Sequence, residues 1–251
     1  MSLLWDTYAI WYRELARYKR NARYVAAQIF FPLVFIVVIG LGFNEIVNLP
    51  THDLNYLEFL SSGILVFFIA GGALGGGMNL IEERIQGPLK AVIIAPISRA
   101  SIILGKIAAR GTLSTIQAVL FIAVISTYAH VTLHTWWLTL ISIAIMAALF
   151  VCLGIVMASF VPDPEQYRAI TGFIMFPLYL LSGIFFPINT LPAALQVIAR
   201  VNPVTYAVDL FRYSITGTHE ISLLLDGVLL TVLAISLFFA SVTLFDRKFR
   251  D

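Results

Sequence analysis

The stretch "FFIAGGALGGGMNLIEERIQGPLKAVIIAPISR", residues 67–99, decides how this chain is read. Its first half is apolar and rich in glycine. Two acids, a Gly-Pro step and several basic residues then break in before another long apolar run begins. The whole chain is 60% hydrophobic and 12% charged, with a mean hydropathy of +0.92. Soluble domains carry about 25% charged residues. The charges here are also segregated, which implies a polytopic helical membrane protein. No polar block approaches the roughly 100 residues of an ordinary domain, so a soluble enzyme domain is not expected within these residues.

Working outward, apolar runs predict spans near 25–43, 58–81, 108–129, 136–160, 169–187 and 222–245. Each is close to the length that crosses about 30 Å of hydrocarbon as a helix. Barrel strands would alternate apolar and polar residues, and these runs are continuous. Fourteen of the sixteen lysines and arginines fall on one side of that arrangement, leaving Arg200 and Arg212 on the other. The positive-inside rule then predicts that both termini and the 82–106 loop are cytoplasmic.

Two segments do not fit as spans. In residues 1–23, Leu4, Tyr8, Trp11, Leu15 and Tyr18 form one helical stripe, with Arg13, Arg17 and Arg20 on another face. This predicts a helix lying in the interface, aromatics toward the apolar layer and arginines toward lipid phosphates. No cleavable signal peptide is evident in this start. Residues 188–221 carry Pro192, Pro203, Arg200, Asp209 and Arg212, too broken to cross a bilayer. The apolar face of Leu191, Leu195, Ile198 and Val201 predicts a pair of short helices that dip into the outer leaflet and return.

Signals for chemistry are sparse. Gly105-Lys106 lacks the earlier glycine and the hydroxyl residue of a P-loop, so the chain is not expected to hydrolyse ATP alone. His130 and His134 have helical i,i+4 spacing without an acid between them, which is weak support for a metal. The single cysteine, Cys152, reads as a packing thiol. No GxSxG or HExxH pattern and no internal repeat is present, and intramembrane carboxylates of the kind ion-coupled carriers need are confined to span ends. Gly71/Gly75 and Gly72/Gly76 offer small-residue packing faces. Phe68 and Gly72, with Phe173, Phe176, Pro177 and Leu180 around a proline kink, are the candidate wall of a cargo pathway.

Glu83-Arg84, Gly87, Leu89, Pro96, Ser98-Arg99 and Gly105-Lys106 resemble the E-R-x-x-G-x-L…P-x-S-R…G-K run of ABC-2-type permeases, the membrane subunits of ATP-driven exporters. "LSGIFFPINTLPAALQVIARVNPVTYAVDLFR" looks like the family's second hallmark, leaning toward drug/lipid exporter permeases of the daunorubicin-resistance type. The resemblance covers essentially residues 1–251 as a single transmembrane domain. It implies an all-α, ABCG-like (type V) fold of six transmembrane helices, with the N-terminal interfacial helix and outer re-entrant helices. A short cytoplasmic coupling helix after span two is implied to dock into the ATPase through Glu83, Arg84, Gly87, Leu89, Pro96, Ser98 and Arg99. Pro88 stands where the family often has Thr, and Lys90 where an acid is common. The implied complex holds two permease protomers, as a homodimer or heterodimer, and two cytoplasmic ATP-binding cassette subunits. ATP and Mg would reside in those subunits, this chain binding no cofactor and no nucleic acid. The expected location is the plasma or inner membrane, and the expected cargo is a hydrophobic or amphipathic drug or lipid. The alternatives are a lipid-linked polysaccharide permease, an uncoupled channel or scramblase, and a purely structural membrane partner.

Overall fold

The computed structural model describes residues 3–44, 46, 54–87, 94, 95, 97–128 and 133–248. Among these residues the regular structure is entirely helical. In chain order the helices are α1 (Leu3–Arg20), α2 (Ala22–Asn44), α3 (Tyr56–Gln86), α4 (Arg99–Ile125), α5 (Trp136–Phe160), α6 (Pro164–Leu180), α7 (Ala193–Val201), α8 (Pro203–Thr216) and α9 (Leu223–Lys248).

Local chemistry sets these ends. The backbone N–H of Asn55 donates to Glu58 Oε2 at 3.2 Å, opening α3, and Gly87 closes it at φ 95°, where a side chain would be strained. Ser98 Oγ accepts the Ser101 N–H at 3.0 Å at the start of α4. Asp163 and Asn202 cap α6 and α8 in the same way, each followed by a proline that lacks the N–H a first turn would leave unpaired. Inside α2, Pro32 is followed by a widened π turn over Ile36–Leu41.

α3 and α5 form the centre of the bundle, with α4, α8 and α9 packed around them. They approach most closely at Gly77, where an added Cβ would stand 2.1 Å from the carbonyl oxygen of Gly154. Tyr167 of α6 donates its hydroxyl to the Leu74 carbonyl at 2.8 Å beside this contact, pinning α6 to the same place. The tightest small-residue contact is thus Gly77 with Gly154, rather than the Gly71/Gly75 and Gly72/Gly76 faces that the spacing suggests.

Among the described residues five helices, α2, α3, α4, α5 and α9, are long and apolar enough to cross a membrane. The expected fifth span at 169–187 is instead the 17-residue α6, which stops at Leu180. At 1.5 Å per residue it reaches roughly 26 Å, short of the hydrocarbon thickness. The third span, expected from 108, begins earlier: Ser98 caps α4 at Arg99, so Lys106 as well as Arg110 lies inside the helix, and both are buried.

The pair of short helices in 188–221 is present as α7 and α8. Their roles are unequal. α8 is almost wholly buried, whereas Ile198 and Val201 of α7 are exposed. The expected interfacial helix is α1, yet its packed face is Asp6, Ile10 and Glu14, leaving Leu4, Trp5, Tyr8 and Tyr12 exposed. Arg13 and Arg17 do not point to lipid phosphates as expected; buried acids hold them instead.

Candidate functional site

At the end of the bundle where the basic residues gather, α1 lies across α4, and a glycine sets the distance. A Cβ on Gly105 would come within 2.6 Å of the Ile10 side chain. Trp11 Nε1 donates to Thr112 Oγ1 at 3.1 Å along the same seam. Lys106, the next residue, therefore reaches Glu14 of α1 at 2.8 Å and Glu83 of α3 at 3.1 Å. Arg17 closes the cluster on Glu83 at 2.6 Å and on Glu14 at 2.7 Å, and Arg13 adds bonds of 3.2 and 3.0 Å to the same two acids. Three cations and two carboxylates thus lock α1, the last turns of α3, and α4 together.

Glu14, Lys106 and Glu83 are all buried. Burial alone would raise the Glu14 carboxyl, but Lys106 and Arg17 beside it outweigh that and bring it down to about 2. The Arg13 guanidinium loses water too, yet Glu83 and Glu14 hold its pKa above the ordinary value. A depressed carboxyl contributes stability above its ordinary pKa near 4.5 and loses it as pH falls toward 2. Glu14→Gln is therefore expected to melt below the wild-type chain by a constant margin from pH 9 to pH 5. That margin should shrink below about pH 4.5, read by thermal unfolding of the purified chain.

Gly105→Val tests the seam. Overpacking against Ile10 costs about 1–3 kcal/mol, and it should lower the melting temperature while loosening α1. An unchanged melting temperature would show that the two helices need not approach this closely.

Deeper in the bundle, Arg110 is 2% exposed and donates to Gln28 Oε1 at 2.5 Å and to the Ile69 carbonyl at 3.3 Å. Gly72 leaves the space for it, since a Cβ there would sit 2.0 Å from the guanidinium. Beside this group and the ion-pair cluster opens a cavity of about 740 Å³ bounded by α1, α2, α3 and α6. Its walls mix Arg17, Arg20, Arg168 and Tyr24 with the thin backbone of Gly71 and Gly75.

The expected site residues divide as follows. Glu83 is at the heart of the cluster. Arg84 is exposed in the same helical turn, Gly87 ends α3, Ser98 caps α4, and Arg99 bonds Asp246 of α9 at 3.3 Å. Leu89 and Pro96, with Pro88, Lys90 and the coupling helix they were to frame, lie outside the described residues, as does His130. Of the expected pathway residues, Phe68 packs on Phe35 and Phe67, and Gly72 houses Arg110. Phe173, Phe176, Pro177 and Leu180 form an exposed face of α6, with Phe173 82% exposed. Sequence reasoning missed Glu14 as a partner. Its signal was a lone acid between arginines on one helix.

A bundle of long apolar helices, bound at one end by a buried ion-pair cluster next to a cavity of mixed polar and apolar lining, is the architecture of a multi-pass membrane protein. The chain belongs to the ABC-2 type transporter family, whose model matches residues 6–216. Among its relatives, the putative transport permease ycf38 of Porphyra purpurea is 35% identical over 206 residues, covering 79% of this chain and 70% of that protein. The inner membrane transport permease YadH of Escherichia coli K12 is 22% identical over 251 residues, covering 98% and 97%. Nodulation protein J of Rhizobium meliloti is 24% identical over 255 residues, covering 97% and 94%. ABC-2 permeases generally pair with ATP-binding cassette subunits, and this chain is a transport subunit of that type.

Proposed function

We propose that this chain is the membrane-spanning subunit of an ATP-driven exporter that carries a drug-like or lipid-like cargo out of the cytoplasm or the inner leaflet. Hydrolysis takes place in two separate cytoplasmic cassette subunits, which hold ATP and Mg, and a second permease protomer completes the pathway. Both termini and the ion-pair cluster lie on the cytoplasmic side, and α6 with the chain after it completes the sixth membrane segment.

One observation carries the coupling route: Glu83, at the exit of α3 toward residues 87–99, is clamped to α1 and α4 at once. A push delivered to residues 87–99 by a cassette subunit would move these three helices as one body. Leu89, Pro96, Ser98 and Arg99 then serve as the receiving surface, with Arg84 and Gly87 at its edge. The exposed rings of Phe173 and Phe176, with Pro177 and Leu180, supply the apolar wall of the pathway. The arginines and tyrosines of the cavity favour a cargo with a polar head over a wholly apolar one, which keeps the lipid-linked polysaccharide reading as the second choice.

Purification from native membranes tests the partnership. A P-loop ATPase encoded beside this chain is expected to co-purify in equal amount. Its absence, with the permease intact and folded, would contradict the exporter reading.

A further inference from the structure

At the end of the bundle away from the ion-pair cluster, α8 meets the first turn of α9. Asp209 of α8 is well served as an anion: its two oxygens accept the backbone N–H groups of Glu220 at 2.8 Å and Ile221 at 2.9 Å. Arg212, one turn further along α8, adds a positive charge nearby. Asp226 of α9 is the opposite case. It is 0% exposed, and among the described residues no donor reaches either of its oxygens. Its side chain abuts that of Asp209.

Two ionised carboxylates in contact and away from water repel one another, and a buried carboxylate without donors is not stable as an anion. A shared proton removes both difficulties, because one carboxyl can then donate to the other. We propose that Asp209 and Asp226 form a buried proton-binding site, in which Asp226 carries the proton and donates it to Asp209, fastening α8 to α9. The proton comes from water as the pair closes and returns to water as it opens.

Among the described residues the surroundings offer Asp226 no competing donor. From α8 the neighbouring charges are Asp209 and Arg212, and from the following loop Glu220, which Arg212 already engages at 3.5 Å. α5, packed on both helices, contributes no ionisable side chain except Cys152. Glu58 of α3 is committed to the start of its own helix. His134 and His219 lie against Tyr213, on the loop side of α8. On the sidedness given under the proposed function, the site faces the outside, so rising external pH would loosen the outer end of the pathway. The proton site itself does not depend on that reading.

The test uses the full chain in lipid nanodiscs between pH 6 and pH 9. Infrared spectra at pH 6 are expected to show the C=O stretch of a protonated carboxyl, shifted by carbon-13-labelled aspartate and absent in Asp226→Asn. The wild-type melting temperature should fall as pH rises through the range. Asp226→Asn, whose amide still donates to Asp209, should keep its pH 6 value at pH 9. Absence of the labelled carboxyl band in the wild-type chain would overturn the proposal even where the variant fails to fold. Identical pH profiles for the two proteins would overturn it as well. Stabilisation by added sodium or calcium in place of the band would assign the site to a metal cation instead.

Discussion

Glu83→Ala is expected to abolish ATP-driven export while leaving membrane insertion intact. The carboxylate accepts from Arg13, Arg17 and Lys106, and its loss leaves those three cations to the single carboxylate of Glu14. Breaking a buried ion pair from one side costs about 3–5 kcal/mol, because the remaining charge stays desolvated. Arg13 and Arg17 are about one-third exposed and can turn to water, whereas Lys106 cannot. Lys106→Met in the Glu83→Ala background should therefore cost less than the two changes summed, with a coupling of about 0.5–3 kcal/mol. Thermal unfolding of the four proteins measures the coupling, and flux with ATP measures the coupling to transport. Wild-type export by Glu83→Ala would remove the cluster from the drive train.

The second large effect is expected at the opposite end. Arg212 stacks on Phe59 at 3.8 Å and donates to Ser62 at 3.2 Å and to the Gly183 carbonyl at 2.5 Å. One buried side chain thus joins α8 to α3 and to the turn after α6. Arg212→Met should cost about 3–5 kcal/mol, since it takes a buried charge away from Glu220 and removes the donors to Ser62 and Gly183. Arg212→Lys should recover only part of this, because an ammonium lacks the planar face that stacks and the fork that bonds two partners. Melting temperatures in detergent decide the order, with wild type highest, then Lys, then Met. Equal values for Lys and wild type would show that charge alone fastens this end.

Much of the fold was legible because long apolar runs and segregated charges leave a membrane chain few choices. The helix boundaries were less so. The apolar run put the third span at 108–129 and left Lys106 outside it, although Ser98 caps a helix that begins at Arg99 and carries Lys106 inward with Arg110. The window also extends α6 through Phe185 and Phe186, although the helix stops at Leu180. The motif Gly105-Lys106 was visible, but its reason was not: the glycine admits α1 and the lysine then meets two acids. Those acids are Glu14 and Glu83, so their shared contact is a fact of tertiary packing. Arg110 and Gly72 illustrate the same limit. A small residue that looks like a helix-packing face is in fact the seat of a guanidinium from another helix.

The central claim, that a separate ATPase drives cargo outward through this chain, is tested most directly in proteoliposomes holding the permease with its cassette subunit. Transfer of a fluorescent lipid and of an apolar dye is followed with ATP, using the intact ATPase or a variant that binds ATP without hydrolysing it. The account predicts transfer only with hydrolysis, lost again with Glu83→Ala. Equal transfer with both ATPases, or without any ATPase, would contradict it.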